Sequence, residues 1–179
     1  KEIVTKGDQI KKNRLSEVGG KGLFCKNIEK ELLEGSIDIA VHALKDMPTI
    51  ETEGLISKFF LKRNDPREIL ISRDNIKLMD LKSKSIIGTS SFRREFQIKR
   101  LKHDITCKLI RGNVDTRLKK LKEGLYDAII LSLAGIKSLK LEKEITQIFF
   151  VDEIIPSAGQ GIITAQCKEN NLEITELLN

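Results

Sequence analysis

Aromatic residues are scarce in this sequence, and their scarcity argues against one class of ligand. The 179 residues include no tryptophan, one tyrosine and seven phenylalanines. Proteins that bind single-stranded nucleic acid use aromatic side chains as platforms on which bases stack. Two of the phenylalanines, Phe92 and Phe96, have the i, i+4 spacing of residues that face a core. We therefore expect no nucleic-acid partner.

Cysteine and histidine are equally few. The three cysteines (Cys25, Cys107 and Cys167) lie far apart in the sequence, and the two histidines are His42 and His103. Such spacings predict neither a disulfide framework nor a metal site. Cys25 and Cys107 lie in apolar periodic segments, which favours a packing role over a nucleophilic one.

Long apolar stretches are also missing. No run approaches the roughly 18 residues typical of a membrane-spanning helix, and no signal-peptide core is visible. The proportions of hydrophobic residues (40%) and charged residues (32%) are ordinary for a globular protein. We expect a cytoplasmic protein that has no membrane partner and acts as a monomer.

Positive charge is present, and it is concentrated in one part of the chain. The window from Thr89 to Lys120 holds ten Lys or Arg against three Asp or Glu, a net charge of +7, whereas the whole chain has a net charge of +6. The rest of the sequence is therefore close to neutral. A local basic patch indicates an acidic ligand.

Strand and helix patterns alternate along the chain. Predicted helices cover residues 22–34, 92–101, 114–123 and 133–139, and predicted strands cover residues 37–41, 55–61, 69–71, 85–88, 107–110, 126–131 and 162–165. This alternation predicts an α/β fold with mostly parallel sheets. Glycines on both sides of Gln160 predict a crossover that returns the last strand to the first half of the chain.

Two strand–turn–helix segments in the basic window have the chemistry of anion sites. The residues concerned are Thr89, Ser90, Ser91, Arg93 and Arg94 in the first segment, and Arg111 and Arg117 in the second. The first turn of a helix offers unpaired N–H groups to an anion. Arginine forks match carboxylates with two hydrogen bonds each, so four arginines in one cleft would suit a ligand with several carboxylates.

A single carboxylate, Asp46, follows an apolar strand, and Pro48 prevents a helix from starting at once. Lys45 and Asp46 are therefore expected on a loop at a strand end, where α/β folds bind ligands. Asp46 is the position at which a cation could be stabilised. The alternative is that Asp46 is a solvated turn residue paired with Lys45.

Several motifs together resemble one enzyme family. They are the segments 42–48 (HALKDMP), 88–94 (GTSSFRR), 111–113 (RGN) with Arg117, 126–130 (YDAII), 159–161 (GQG) and, upstream, 18–24 (VGGKGLF). Their order and spacing resemble those of the porphobilinogen deaminase (hydroxymethylbilane synthase) family over essentially the whole chain. The resemblance implies a transferase of tetrapyrrole and haem biosynthesis. Such an enzyme joins four porphobilinogen molecules into hydroxymethylbilane, with release of ammonia, on a covalent dipyrromethane cofactor.

The resemblance also implies roles for individual residues. Asp46 would be the catalytic carboxylate that stabilises the cation left when ammonia departs. Gln160 would line the cleft, and Lys21 and Phe24 would belong to a mobile lid over it. Contacts to the acetate and propionate groups of substrate and cofactor would come from Lys45, Thr89, Ser90, Ser91, Arg93, Arg94, Arg111 and Arg117.

The implied architecture is two hinged domains like those of periplasmic binding proteins. Residues 1–61 with 162–179 would form domain 1, and residues 62–161 would form domain 2. The family's opening strand and its third, α+β domain, which carries the cofactor-attachment cysteine, have no counterpart in this chain, so we expect the fragment alone to be inactive. Ser138 stands where the family often has an arginine.

One alternative function of another class is open at this point. A non-catalytic, two-lobed module that binds an anion or solute, or senses an effector, would share the fold and the basic patch. Such a module would not need Asp46 directed at its ligand.

Overall fold

The computed structural model describes Ile3 and residues 25–179. Two compact units are present: unit 1 combines Lys1–Asn64 with Gly159–Asn179, and unit 2 comprises Asp65–Ala158. In chain order the helices and strands are α1 (Lys26–Glu34), β1 (Ala40–Ala43), β2 (Leu55–Phe60), β3 (Glu68–Ser72), β4 (Ile86–Gly88), α2 (Phe92–Leu101), β5 (Thr106–Lys108), α3 (Val114–Lys122), β6 (Ala128–Ser132), α4 (Leu133–Ser138), β7 (Gln147–Ile148), β8 (Ile163–Lys168) and α5 (Leu172–Leu178).

Within residues 25–64 and 159–179, unit 1 contains a three-stranded sheet in the order β1–β8–β2. Its central strand, β8, comes from the last part of the chain and runs antiparallel to both neighbours. Helix α1 packs its Leu32 against Ala40 of β1 and Leu55 of β2. The predicted return of the last strand to the first half of the chain is confirmed by this pairing.

Unit 2 contains a five-stranded sheet in the order β5–β4–β6–β3–β7. Both faces of its central strands are covered. Leu70 and Ile130 lie in one apolar cluster, and Ile69 and Ile129 lie in the cluster on the other face. This division follows from the two-residue period of a strand, which sends successive side chains to opposite faces. Strands buried on both faces read as continuous apolar runs, as β3 and β6 do.

The predicted α/β class is confirmed, but the sheets are mixed rather than mostly parallel. Among the described residues, parallel pairing joins β4 to β5 and β6, while β3 runs antiparallel to β6 and β7. The first strand lies at Ala40–Ala43, about three residues later than predicted. The short strand β7 and the helix α5 were not predicted.

The prediction that Phe92 and Phe96 face a core is wrong. Helix α2 instead turns Arg94, Gln97 and Ile98 inward. Phe92 is 53% exposed and Phe96 is 74% exposed, because the i, i+4 stripe they form lies on the opposite side of the helix. The spacing of these two phenylalanines therefore gives no argument against stacking ligands.

No described helix is both long and apolar enough to cross a membrane. The predicted packing role of two cysteines is confirmed. Cys25 is fully buried, and Cys107 packs at the edge of the Leu70 cluster. All three cysteines are free thiols.

Candidate functional site

In unit 1 the candidate residues Lys45 and Asp46 lie in one 3₁₀ turn, Leu44–Asp46, that follows β1 directly. The turn closes through a hydrogen bond from the Met47 N–H to the Leu44 carbonyl (3.2 Å). It is tied to the segment before β8 by a bond from the Leu44 N–H to the Ile162 carbonyl (3.0 Å). Both candidate side chains are half-buried. Their predicted position at a strand end is confirmed, and their roles remain predictions.

A buried polar network lies behind this turn. The Gln166 amide donates from Nε2 to Glu29 Oε1 (3.3 Å), so its Oε1 faces His42 Nε2 at 3.1 Å. His42 therefore donates from Nε2, since the amide oxygen can only accept. Burial lowers the pKa of His42, although Gln166, Glu29 and Asp46 act in the opposite direction. The imidazole is accordingly a neutral structural group at pH 7.

Cys25 joins this network to the turn. Its thiol donates to the backbone carbonyl of Asp46 (3.7 Å) and lies 3.9 Å from His42 Nδ1. Burial, followed by the negative charges of Glu29 and Asp46, raises the pKa of Cys25 to about 11. The thiol therefore stays protonated, which preserves the donor that holds the Asp46 backbone.

In unit 2 the strand, turn and helix of the first segment form as predicted, and hydrogen bonds within the turn explain its shape. The anion-binding role of this segment stays a prediction. Ser91 is the N-cap of α2 and accepts a hydrogen bond from the Arg94 N–H (3.4 Å). Thr89 Oγ1 accepts one from the Ser91 N–H (3.2 Å), and Thr89 is fully buried. Ser90 is half-buried. Thr89 thus builds the turn, and Ser90 presents the more accessible hydroxyl.

Arg93 and Arg94 share one internal carboxylate that sequence reasoning missed. Glu68, at the start of β3, is 0% exposed, and its two oxygens form ion pairs with Arg93 Nη2 and with Arg94 Nη2, the latter at 2.8 Å. Burial alone would raise the pKa of Glu68, but the guanidinium groups of Arg94 and Arg93 outweigh it and hold the pKa below its usual value. The sequence did contain a signal for this carboxylate, because Glu68 is a charged residue directly before the apolar run Ile69–Ile71.

Arg117 completes a cluster of positive charge in unit 2. Asn113 caps helix α3 by accepting from the Thr116 N–H (3.0 Å), and Arg117 Nε donates to the Gly112 carbonyl (2.8 Å). Burial, followed by the nearby charges of Arg94 and Arg111, lowers the pKa of Arg117 to about 10, against an opposing effect of Tyr126. Arg94 and Arg111 are therefore each close enough to repel Arg117.

Glu68 pairs with two of the four guanidinium groups at positions 93, 94, 111 and 117, and the charges of Arg94 and Arg111 oppose the charge of Arg117. Desolvated like charges are costly to hold together. An incoming anion relieves that cost and gains charge-assisted hydrogen bonds. Guanidinium groups suit carboxylates. Some of their N–H groups are already used inside unit 2, since Arg93 Nη1 donates to the Ile155 carbonyl and Arg94 Nη1 to the Ile130 carbonyl (3.2 Å).

The remaining candidate residues have diverse positions. Gln160 is 1% exposed in unit 1, and its backbone carbonyl accepts a hydrogen bond from Arg63 Nε (3.1 Å). Ser138 Oγ donates to the Ala134 carbonyl within α4 (2.9 Å). Lys21 and Phe24, predicted for a lid, lie outside the described residues. Among residues 25–179 no group of three His, Cys, Asp or Glu is placed to hold a metal ion.

Comparison with known proteins decides the family. The family model described as "Porphobilinogen deaminase, dipyromethane cofactor binding domain" matches residues 1–176. The chain belongs to the porphobilinogen deaminase family. The resemblance drawn from the sequence motifs is thereby confirmed.

Curated relatives agree with this family assignment. Porphobilinogen deaminase of Bacillus subtilis (strain 168) is 47% identical over 180 residues, which cover 100% of this chain and 57% of the relative. The enzyme of Bacillus pumilus (strain SAFR-032) is 48% identical over 179 residues, covering 99% of this chain and 58% of the relative. The chain therefore spans a little under three fifths of the length of these porphobilinogen deaminases.

Solved structures show the same fold in distant proteins. The sulfate-bound regulatory domain of the OxyR2 E204G mutant from Vibrio vulnificus has a TM-score of 0.50 at 16% identity, covering 86% of this chain and 74% of that one. An ancestral cationic amino acid solute binding protein has a TM-score of 0.51 at 14% identity, covering 87% and 66%. At these identities the likeness shows the fold alone, and it confirms the predicted periplasmic-binding-protein-like architecture.

Proposed function

We propose that the protein carrying this chain is a porphobilinogen deaminase that joins four porphobilinogen molecules head to tail into hydroxymethylbilane and releases one ammonia for each. The observation that carries the proposal is the arginine cluster of unit 2, in a chain that belongs to this family. Burial and the charges of Arg94 and Arg111 oppose the charge of Arg117 and lower its pKa, so a bound anion would stabilise the cluster.

The charge of the cluster fits the proposed substrate and cofactor. Each porphobilinogen ring carries one acetate and one propionate, so a growing chain gains about two negative charges per ring, which guanidinium groups can bind bidentately. Arg93, Arg94, Arg111 and Arg117 would hold these carboxylates, with Ser90 and Ser91 donating hydroxyl hydrogen bonds. Thr89, which is fully buried, would act through the turn that it builds.

The same donors suit the dipyrromethane cofactor, which carries carboxylates of the same kind and supplies, when bound, the ring to which the first substrate is joined. Its attachment would not use Cys25 or Cys167, since both thiols are fully buried in unit 1. Residues of this chain would bind and orient the cofactor through the arginine cluster. Lys45 would contribute a further cation beside Asp46.

Asp46 is proposed as the catalytic carboxylate. Loss of ammonia from the aminomethyl group of porphobilinogen leaves a cation delocalised onto the pyrrole nitrogen. A fixed carboxylate that accepts a hydrogen bond from that N–H stabilises the charge as it develops. The same carboxylate can take up the ring proton that is released when the new carbon–carbon bond has formed. Gln160 is proposed to support substrate binding in the same unit.

We further propose that the two units are the two domains expected from the sequence, with boundaries at 64/65 and 158/159 in place of the expected 61/62 and 161/162. The active protein is proposed to be a cytoplasmic monomer without a nucleic-acid or membrane partner. These proposals rest on composition and on the family resemblance. Size-exclusion chromatography with light scattering tests the oligomeric state.

The test of the catalytic proposal is Asp46→Asn in the full-length protein, with Asp38→Asn as the matched control. Asp38 is an exposed carboxylate just before β1 in the same unit. We expect Asp46→Asn to lower the rate of porphobilinogen consumption on the order of 10²-fold or more, since it removes a preorganised charge. Asp38→Asn should leave the rate unchanged. An Asp46→Asn variant that keeps more than about half of the wild-type rate contradicts the proposal, on the same scale of effect.

A further inference from the structure

The Leu44–Asp46 turn is packed directly against Gly159, the residue at which the chain returns to unit 1. Gly159 has φ +72°, a conformation that L side chains rarely adopt. A Cβ built on Gly159 would lie 3.0 Å from Leu44 Cγ, 3.1 Å from the Lys45 nitrogen and 3.2 Å from the Leu44 carbonyl carbon. Two of these three atoms belong to the backbone of the turn. A methyl group at position 159 can therefore be accommodated only if that backbone moves.

Hydrogen bonds connect the same two segments. The Ile162 N–H donates to the Gly159 carbonyl (3.1 Å), and the Leu44 N–H donates to the Ile162 carbonyl (3.0 Å). The turn is thus held on this side by the segment 159–162. Through its Asp46 carbonyl it is also held by the buried thiol of Cys25 at 3.7 Å.

Position 159 satisfies two requirements at once. Positive φ can be met by asparagine as well as by glycine, at modest cost. Close approach to the Lys45 nitrogen and the Leu44 carbonyl carbon can be met only by a residue without a Cβ. The turn 159–162 can close whether or not residue 159 has a Cβ. The missing Cβ instead sets the distance between this segment and the turn that contains Lys45 and Asp46.

We propose that Gly159 is a positioning residue for Asp46: its missing side chain lets the returning segment fix the Lys45–Asp46 backbone at the place that the reaction needs. This inference rests on the proposed catalytic role of Asp46. Since a misplacement of about 1 Å can cost on the order of 10²-fold in rate, a shift of a few tenths of an ångström predicts a fall in kcat of about 3- to 10-fold.

The experiment compares Gly159→Ala with Gly35→Ala in the full-length protein. Gly35 also lies in unit 1 and has nearly the same φ, +74°. A Cβ on Gly35 would meet the flexible end of Lys168, with Nζ at 3.4 Å, and no atom of the Leu44–Asp46 turn would lie within 4 Å of it. Both variants therefore carry the backbone strain of alanine at positive φ, but only Gly159→Ala presses on Lys45 and Leu44.

Two readouts decide the outcome. We expect the backbone amide resonances of Lys45 and Asp46 to shift in Gly159→Ala and to remain in place in Gly35→Ala. We expect kcat for porphobilinogen consumption to fall about 3- to 10-fold in Gly159→Ala only, with KM changed much less, because the arginine cluster is untouched. If Gly159→Ala does not fold, the double variant Leu44→Ala/Gly159→Ala removes the 3.0 Å contact and provides the same comparison against Leu44→Ala.

Failure of the inference and failure of the proposed function give different results. If Asp46→Asn is inactive and Gly159→Ala matches Gly35→Ala in both kcat and amide resonances, the positioning role is overturned and the proposed function stands. If Asp46→Asn keeps its activity, the proposed function is overturned and the positioning role falls with it.

Discussion

Replacing Glu68 by glutamine should destabilise the protein far more than an ordinary surface substitution. The Glu68 carboxylate is 0% exposed and forms ion pairs with Arg93 and Arg94. Glutamine keeps the shape, but it removes the charge and presents an N–H₂ group to one of two guanidinium donors. Removing one partner of a buried ion pair costs about 3–5 kcal/mol, because the other charges remain buried and uncompensated.

The expected loss can be measured by urea unfolding at pH 7, with Glu95→Gln as the matched control. Glu95 forms an ion pair of similar length with Lys99 (2.8 Å) on the outside of the same unit, where the lysine side chain is 45% exposed. Pairs of this i, i+4 type contribute about 0.3–0.5 kcal/mol. The two Glu→Gln substitutions should therefore differ by about 2.5 kcal/mol or more in the free energy of unfolding.

The pH dependence gives a second check. The folded-state pKa of Glu68 lies below its usual value of 4.5, so the carboxylate binds protons less readily in the folded than in the unfolded protein. Its contribution is fully present above pH 4.5 and is lost as the pH falls through the lowered pKa. The stability difference between wild type and Glu68→Gln should shrink in that acidic range. A difference below about 1 kcal/mol at pH 7, the size expected of a surface pair, would refute the reasoning.

Two further predictions concern the arginine cluster. Arg94→Glu should reduce the rate of porphobilinogen consumption by the full-length protein at least tenfold more than Lys119→Glu does, which corresponds to about 1.4 kcal/mol of transition-state stabilisation. Lys119 is the control because it is solvent-exposed and pairs only loosely with Glu123 (3.9 Å). Equal rates in both variants would mean that net charge alone matters. Lys120 is unsuitable as a control, since its Nζ donates to the Arg111 carbonyl (3.0 Å). Arg117→Met should raise the melting temperature and weaken activity. Burial and two neighbouring cations lower the pKa of Arg117 to about 10, so they oppose its charged form in the folded protein. A melting temperature below that of wild type, measured by calorimetry at pH 7, would show that the repulsion is unimportant.

Local signals in the sequence predicted the helices of unit 2 well. The bounds of α2, Phe92–Leu101, match the prediction, because Ser91 is an N-cap whose side chain accepts a hydrogen bond inside the first turn. Asn113 does the same for α3. Capping acts over three residues, so it can be read without knowledge of the rest of the fold.

Long-range interactions were not readable in this way. The face that α2 buries depends on Arg94, because its buried guanidinium pairs with Glu68 of strand β3, which lies far from α2 in the sequence. The spacing of Phe92 and Phe96 predicted the opposite face, because a buried arginine is rare unless it is paired. The sequence pattern also could not predict whether neighbouring strands run parallel or antiparallel. A strand that is buried on both faces is a continuous apolar run in either kind of sheet, and β3 and β6, which are antiparallel, are such runs.

The strand order of unit 1 has a consequence for how the protein is made. In the sheet described, β1 and β2 are bridged by β8, which is synthesised about a hundred residues after Phe60. At translation rates of about 5–20 residues per second, these two strands wait roughly 5–20 s for their shared partner. Unit 2, by contrast, is one continuous stretch and can complete its sheet as soon as it has left the ribosome. Synthesis therefore favours an order in which the arginine cluster is assembled before the Asp46 turn is fastened by residues 159–162.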